Sequence, residues 1–374
     1  MDINLLNLSK NIFKILNVNI KEMRMIMNIR IKKHITIILL CISCCMLVAG
    51  CKNQTDNLEN QEEASIEVFA MDTYMTLKAY GEHGQEALEE SKEEIERLDA
   101  LWSVGNMESE IYQLNKDGKA KISKETIKLI QCAQKIWKET DGAFDLTIYP
   151  LMELWGFTTE NYQVPDEKEI QEILDQSIGM DKITINETTR EVILKDGAQI
   201  DLGGIAKGYT SSQVAKIFQD YGVEHGVVSL GGNVQAIGEK TDGSRWRVGI
   251  QPPSDDMDMI GTYEAYDEAV ITSGGYERYF EQDGNIYHHI LDPETGAPTK
   301  KDLVSVTIIS EDGMMADCLS TTLFVMGREK AENYWKANVD KFDMILMDDN
   351  SNIYITEGIK DQFTSEYEYT VLKR

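Results

Sequence analysis

From residue 66 onward the sequence predicts an α+β fold in one compact, two-lobed unit, and three observations support this. Strand-like and helix-like segments interleave without a strict βαβ alternation, which argues against a doubly wound parallel sheet. No repeat, Pro-rich linker or low-complexity tract divides residues 66–374. About 310 residues follow the leader, enough for one large domain or two small ones.

The leader precedes this unit. Residues 30–34 (RIKKH) are basic, and residues 35–50 (ITIILLCISCCMLVAG) are an apolar or small run. That order marks a secretory signal over residues 1–50, and the run is shorter than the ~20 residues of a comfortable membrane span. Met27, just upstream of the basic run, is a candidate start. Val48-Ala49-Gly50-Cys51 resembles a bacterial lipobox, with Cys51 as the lipidated first residue of the mature protein. The expectation is a lipid-anchored protein on the extracytoplasmic side of the cell membrane. Residues 51–65 are polar and aperiodic, as in a flexible tether.

Within the globular part, residues 66–80 have strand composition. Residues 84–101 read as an amphipathic helix with Ala87, Ile95, Leu98 and Leu101 inward. Ser123 and Thr126 start a helix over 123–139, and Asp166 starts a short one. Three strand-like pieces occupy 182–202, followed by a helix over 205–221. Strands are then expected at 225–230, 233–238, 245–250, 262–272 and 286–291. Helices at 314–326 and 328–338 and strands near 342–347 and 351–356 close the domain at about residue 360, leaving 361–374 as a tail.

Bulk chemistry narrows the partners. Net charge is −27, and residues 1–50 carry seven basic and two acidic residues, so residues 51–374 hold −32. Such a surface repels nucleic acid, and any phosphate site needs local compensation. Of six cysteines, only Cys132 and Cys318 lie beyond the leader and Cys51, so no disulfide framework or Cys/His zinc spacing exists.

Four stretches carry chemistry. In DLGGIAKGYT (201–210) a strand end, two glycines and a helix start offer backbone N–H groups to an anion. Lys207 opposes the helix dipole there, as a functional lysine or as a surface lysine beside a plain turn. SLGGN (229–233) reads as a β-turn after an apolar strand. In NIYHHILDPETG (285–296), alternation sends His288 and His289 to opposite faces, one of them as a base near a site or as a satisfied structural ring. In MMADCLSTTL (314–323), Asp317 and Thr321 share a helix face, as hard oxygen ligands for Mg²⁺ or with the aspartate capping its own helix.

Taken in order, MDTYMTL, TDGAFDLTIYPLMELWGF, DLGGIAKGY, SLGGN, ITSGGYERYF, HHILDPETG, LVSVT and ADCLSTT resemble the ApbE family of flavin transferases over residues 66–356. The resemblance implies a T-fold-like domain that uses Mg²⁺, splits FAD and attaches FMN to a Thr or Ser of an acceptor protein with release of AMP. FAD hydrolysis to FMN and AMP, or flavin binding without catalysis, are the alternatives. By motif, Met71, Ala143, Phe144, Asp145, Asp201, Lys207 and Leu291 would contact FAD. Gly204, Asp317, Ser320 and Thr321 would hold the metal, Lys207 the pyrophosphate, and His289 would be the base. Some relatives have a carboxylate where this chain has Ser320. Relatives often carry a tyrosine where this chain has Gly105, which leaves Trp102 or another aromatic to stack on the flavin. The acceptor would be a subunit of a sodium-pumping or Rnf-type redox complex, or an extracellular flavoprotein.

Overall fold

The computed structural model describes residues 63–253 and 258–374, which belong to one compact unit. The signal read over 1–50, Cys51 and most of the tether lie outside the described residues. The last tether positions, 63–65, already belong to the first strand.

The chain opens with a hairpin of β1 (Glu63–Ala70) and β2 (Thr73–Tyr80). Expected as one strand-like stretch, it turns at Met71 and Asp72, both at positive φ (50° and 57°), as a two-residue hairpin turn requires. α1 (Gly84–Trp102) buries Ala87, Leu88, Ile95 and Leu98. α2 (Glu110–Asp117), capped by Ser109, was not foreseen; two turns are too short to show a periodic face. β3 (Lys119–Lys121) leads to α3 (Lys124–Glu139), where the Ser123 hydroxyl accepts the Thr126 N–H as its cap. α4 (Tyr149–Leu154) and α5 (Glu167–Ser177) follow, the latter closed by an Asp166/Glu169 capping box.

Of the three strand-like pieces over 182–202, two are strands, β4 (Ile183–Asn186) and β5 (Glu191–Leu194). The third is held by a side chain instead. The Asn115 amide accepts from the Ile200 N–H at 2.7 Å and donates to its carbonyl at 2.8 Å, satisfying the backbone as a neighbouring strand would. After α6 (Ala206–Asp220) come β6 (His225–Leu230), β7 (Asn233–Ile237) and β8 (Trp246–Ile250). Residues 262–272 divide into β9 (Gly261–Ala265) and β10 (Ala269–Gly274) around Asp267 at φ 50°. The single strand expected over 286–291 is likewise two pieces. β12 (Asn285–His288) pairs with β11 (Tyr279–Gln282), and β13 (Leu291–Asp292) pairs with β14 (Ala297–Pro298). The remainder is β15 (Leu303–Ser310), α7 (Gly313–Met326), α8 (Arg328–Lys336), β16 (Asp343–Asp348), β17 (Ile353–Thr356), β18 (Phe363–Thr364) and β19 (Tyr369–Leu372).

Nine strands form the main sheet in the order β1-β2-β6-β7-β10-β15-β16-β17-β19. Its pairs are antiparallel except β17 with β19. The central strands bury both faces, and their alternation sends side chains to two cores. Ile271, Val306, Ile308, Met344 and Leu346 face the helices, while Val270, Ile309, Ile345 and Met347 face the small sheet β18-β9-β8. Residues 361–374, expected as a tail, are structural: β18 and β19 sit in these sheets with Phe363 and Leu372 buried.

Candidate active site

A cavity of about 750 Å³ opens where the β1–β2 and β6–β7 turns, the segment after α3, the start of α6 and the face of α7 converge. It is lined by Met71, Ala143, Phe144, Asp145, Asp201, Gly204, Lys207, His289, Leu291, Asp317 and Thr321, so the fold gathers eleven of the predicted site residues. Ser320 does not line it. Its hydroxyl donates to the Asp317 carbonyl (2.8 Å) and meets Ser273 Oγ (2.7 Å) on β10. Trp102 is not there either: it is buried edge-on against Tyr209, and its N–H donates to the Thr126 hydroxyl. The aromatic rings that do line the cavity are Phe144 and Tyr276.

The glycines of DLGGIAKGYT act through the space they leave. A Cβ on Gly208 would lie 2.1 Å from the Gly313 carbonyl oxygen and 2.5 Å from Asp317 Cβ. Only glycine lets α6 and α7 meet this closely. The contact allows the Gly208 N–H to donate to Asp317 Oδ2 at 2.8 Å, placing a buried carboxylate on the positive end of α6. The Ile205 and Ala206 N–H groups are taken by the Leu202 carbonyl, so at least three donors of this helix start are spent on protein. At Gly204 a Cβ would press on the Phe144 ring at 3.0 Å and lie 3.8 Å from Thr321 Oγ1. Gly203 donates its N–H to Asp201 Oδ1. The Lys207 ammonium reaches the Gly203 carbonyl at 3.5 Å, and a carbonyl leaves its charge free for an anion.

His289 is held in one tautomer. Its Nδ1 lies 3.1 Å from the Arg278 carbonyl. A carbonyl only accepts, so Nδ1 carries the proton and Nε2 keeps its lone pair. Burial, the largest cause, pushes the ring's pKa down to about 4. Carboxylates shift the other way: burial raises Asp145 to about 6 and raises Asp201 as well. Glu277 rises to about 7, mainly through the protein around it, with Lys207 opposing. Its side chain still reaches solvent at the mouth.

No site residue was expected from ITSGGYERYF (271–280). That stretch supplies Ser273, Tyr276, Glu277 and Arg278 to the cavity. Ser273 Oγ lies 3.2 Å from Thr321 Oγ1, and Arg278 pairs with Asp72 at 3.9 Å across the mouth. Asn233, the last residue of SLGGN, also lines the cavity, and its buried Nδ2 lacks a partner among the described residues. An amide directly after a Gly-Gly turn was its available signal.

Five carboxylates (Asp72, Asp145, Asp201, Glu277, Asp317) and two cations (Lys207, Arg278) line the cavity. A phosphate ligand entering alone would meet net repulsion. Asp317, Thr321 and the Gly204 carbonyl are hard oxygen donors, suited to a divalent cation that keeps several waters and takes phosphate oxygens. Among the described residues no group of three or more His, Cys, Asp or Glu side chains gathers as a metal cage. This donor set fits Mg²⁺ and not zinc.

Residues 71–346 match the model of the ApbE family. An FAD:protein FMN transferase of Klebsiella pneumoniae is 34% identical over 80% of this chain and 94% of its own. One of Vibrio cholerae is 31% identical over 88% and 97%. Among solved structures, the ApbE protein of Thermotoga maritima superposes with TM-score 0.75 at 34% identity, over 82% of this chain and all of that one. The flavin transferase ApbE of Vibrio cholerae superposes at 0.72 and 29%, over 81% and 99%.

Proposed function

The chain belongs to the ApbE family, and from that premise we propose that it is an FAD:protein FMN transferase acting on a separate acceptor protein. One observation carries the mechanism: a single cavity joins a free lysine, a hard-oxygen donor set and a tautomer-fixed histidine. Asp317, Thr321 and the Gly204 carbonyl would hold Mg²⁺. When bound, the ion neutralises charge on the pyrophosphate and on departing AMP.

The chain's own groups perform the remaining tasks. Lys207 and Arg278 bind phosphate oxygens at the floor and mouth. Phe144 and Leu291 supply apolar wall, and Asn233 offers its unpaired N–H₂. Nε2 of His289 takes the proton of the acceptor Thr or Ser hydroxyl as its oxygen attacks the FMN phosphorus. The new P–O bond forms while the bond from that phosphorus to the AMP oxygen breaks. The proton then leaves His289 to solvent or to AMP. Arg278 therefore serves twice, through its carbonyl on His289 and its guanidinium at the mouth.

We place the protein outside the cytoplasmic membrane, tethered through Cys51. The lipobox-like segment supports this, and a Cys51→Ala chain should be released from the membrane fraction. The acceptor is read as the flavin-bearing subunit of an Rnf-type or sodium-pumping complex. The direct test is incubation of the protein with FAD, Mg²⁺ and a purified Rnf-type acceptor subunit. Covalent flavin fluorescence should appear on that subunit with the native chain and not with His289→Ala. Equal labelling by the variant would remove His289 from the mechanism.

A further inference from the structure

Beside the cavity runs a second hollow of about 880 Å³, and the two share Gln251 and Tyr276. The Tyr276 hydroxyl leans on the Gln251 carbonyl at 3.5 Å, forming a low partition between them. His289 lines the cavity and His288 lines the groove, so consecutive rings serve opposite sides of one strand end.

The β11–β12 hairpin makes one wall. Its register pairs Tyr279 with His288 and Glu281 with Ile286, which puts these four on one face. The opposite face is already used. Phe280 and Tyr287 stack at 5.2 Å, and Tyr162 and Trp155 pack against them. The hairpin is thereby fixed, while Tyr279 and Ile286 on the groove face remain 46% and 62% exposed. An exposed tyrosine and isoleucine kept rigid and open next to a reaction centre, with Glu281 beside Ile286 on the same face, are what a protein partner uses.

Two polar atoms in the groove lack partners. His288 Nε2 lies 3.1 Å from the Thr299 carbonyl, so Nε2 carries the proton and Nδ1 is a bare acceptor. That Nδ1 is buried without a partner, and so is the Thr299 hydroxyl, on a residue 6% exposed. Buried polar atoms are nearly always satisfied, and an acceptor beside a hydroxyl matches the N–H and C=O of a peptide backbone. Charge points the same way. Lys301 is the one charged residue among the described lining of the groove, and no carboxylate joins it, on a chain of −32 beyond its leader.

We propose that this groove docks the acceptor protein. An extended, uncharged segment lies on the Tyr279–Ile286 face, hydrogen-bonds to His288 and Thr299, and turns its hydroxyl residue over Tyr276 to His289. The inference rests on the transferase reading and adds where the second substrate binds. Peptide recognition of this kind takes affinity from backbone hydrogen bonds and specificity from side-chain pockets.

The test is steady-state transfer to the Rnf-type acceptor subunit by the full chain and four variants, with FAD binding followed by flavin fluorescence. Ile286→Asp and Tyr279→Asp should each raise KM for the acceptor at least about tenfold, with FAD affinity kept within about twofold. Phe69→Asp and Tyr74→Asp alter an exposed aromatic pair elsewhere, at the β1–β2 hairpin, and should leave KM unchanged. An unchanged KM in the groove variants, or a raised KM in the Phe69 and Tyr74 variants, would overturn the groove assignment. If the native chain transfers no FMN, the transferase reading falls first and the groove with it; transfer by all five proteins alike sinks the groove alone.

Discussion

At the scale of single residues, the site rests on two atoms made available by their neighbours. Asp317 Oδ2 is taken by the Gly208 N–H, which fixes the carboxylate without using its second oxygen. Asp317→Asn keeps an acceptor for that N–H, so we expect a chain that melts within a few degrees of the native one. Its transfer rate should nevertheless fall by about a hundredfold, roughly 3 kcal/mol of barrier. A comparable rate, read by acceptor labelling, would rule out Asp317 as the metal anchor. His289 offers the second atom, and its pKa is pushed down from 6.5 to about 4. Because the folded value lies below the unfolded one, stability gained from the neutral ring is present above pH 6.5 and is lost as pH falls through 4. The same sign governs the role proposed for it: the ring is neutral at neutral pH and is protonated only towards pH 4. We expect the acid limb of kcat/KM well below pH 6.5, and a limb at 6.5 would place another group in this role. Most of the residues that line the cavity were legible because motifs carried them. Ser320 was misplaced because its hydroxyl finds partners in Asp317 and Ser273, which a helical repeat cannot reveal.

At the scale of elements, the crossing of α6 and α7 sets the geometry of the site. Gly208 and Gly313 face each other, and a Cβ on Gly313 would sit 2.9 Å from the Gly208 carbonyl oxygen. Gly208→Ala should destabilise the fold by about 3 kcal/mol, since overpacking rigid backbone has no easy relief. It should also lower activity, because α7 carries both Asp317 and Thr321. A stable and active Gly208→Ala chain, judged by urea denaturation and transfer rate, would show that the close approach is not needed. Long periodic helices such as α1 and α3 were legible to within two residues, since their caps and stripes are local. The hairpin turn at Met71-Asp72 and the break at Asp267, where the chain passes from β9 in the small sheet to β10 in the main sheet, were merged into single strands because both use non-glycine residues at positive φ. The segment before Asp201 looked like a strand by composition, and the Asn115 side chain holds it from 85 residues away.

At the scale of the whole molecule, the fold class was legible from interleaved elements in an undivided chain. The extent of the domain was not. β19 pairs with β17 in parallel, a long-range contact invisible to local pattern, so the C-terminal residues read as a tail. Phe363, 4% exposed, ties that end to the small sheet, and Phe363→Ala should cost about 3 kcal/mol in urea denaturation; a change under about 1 kcal/mol would return 361–374 to the status of a tail. Acidity also acquires a meaning at this scale. With five carboxylates and two cations lining the cavity, we propose that phosphate binding depends on a divalent cation, and EDTA should abolish transfer. The central claim is tested most directly by intact-mass spectrometry of the acceptor alongside AMP release. We predict one FMN added per acceptor and one AMP released for each. AMP released in step with FAD loss, with no mass gained by the acceptor, would contradict it.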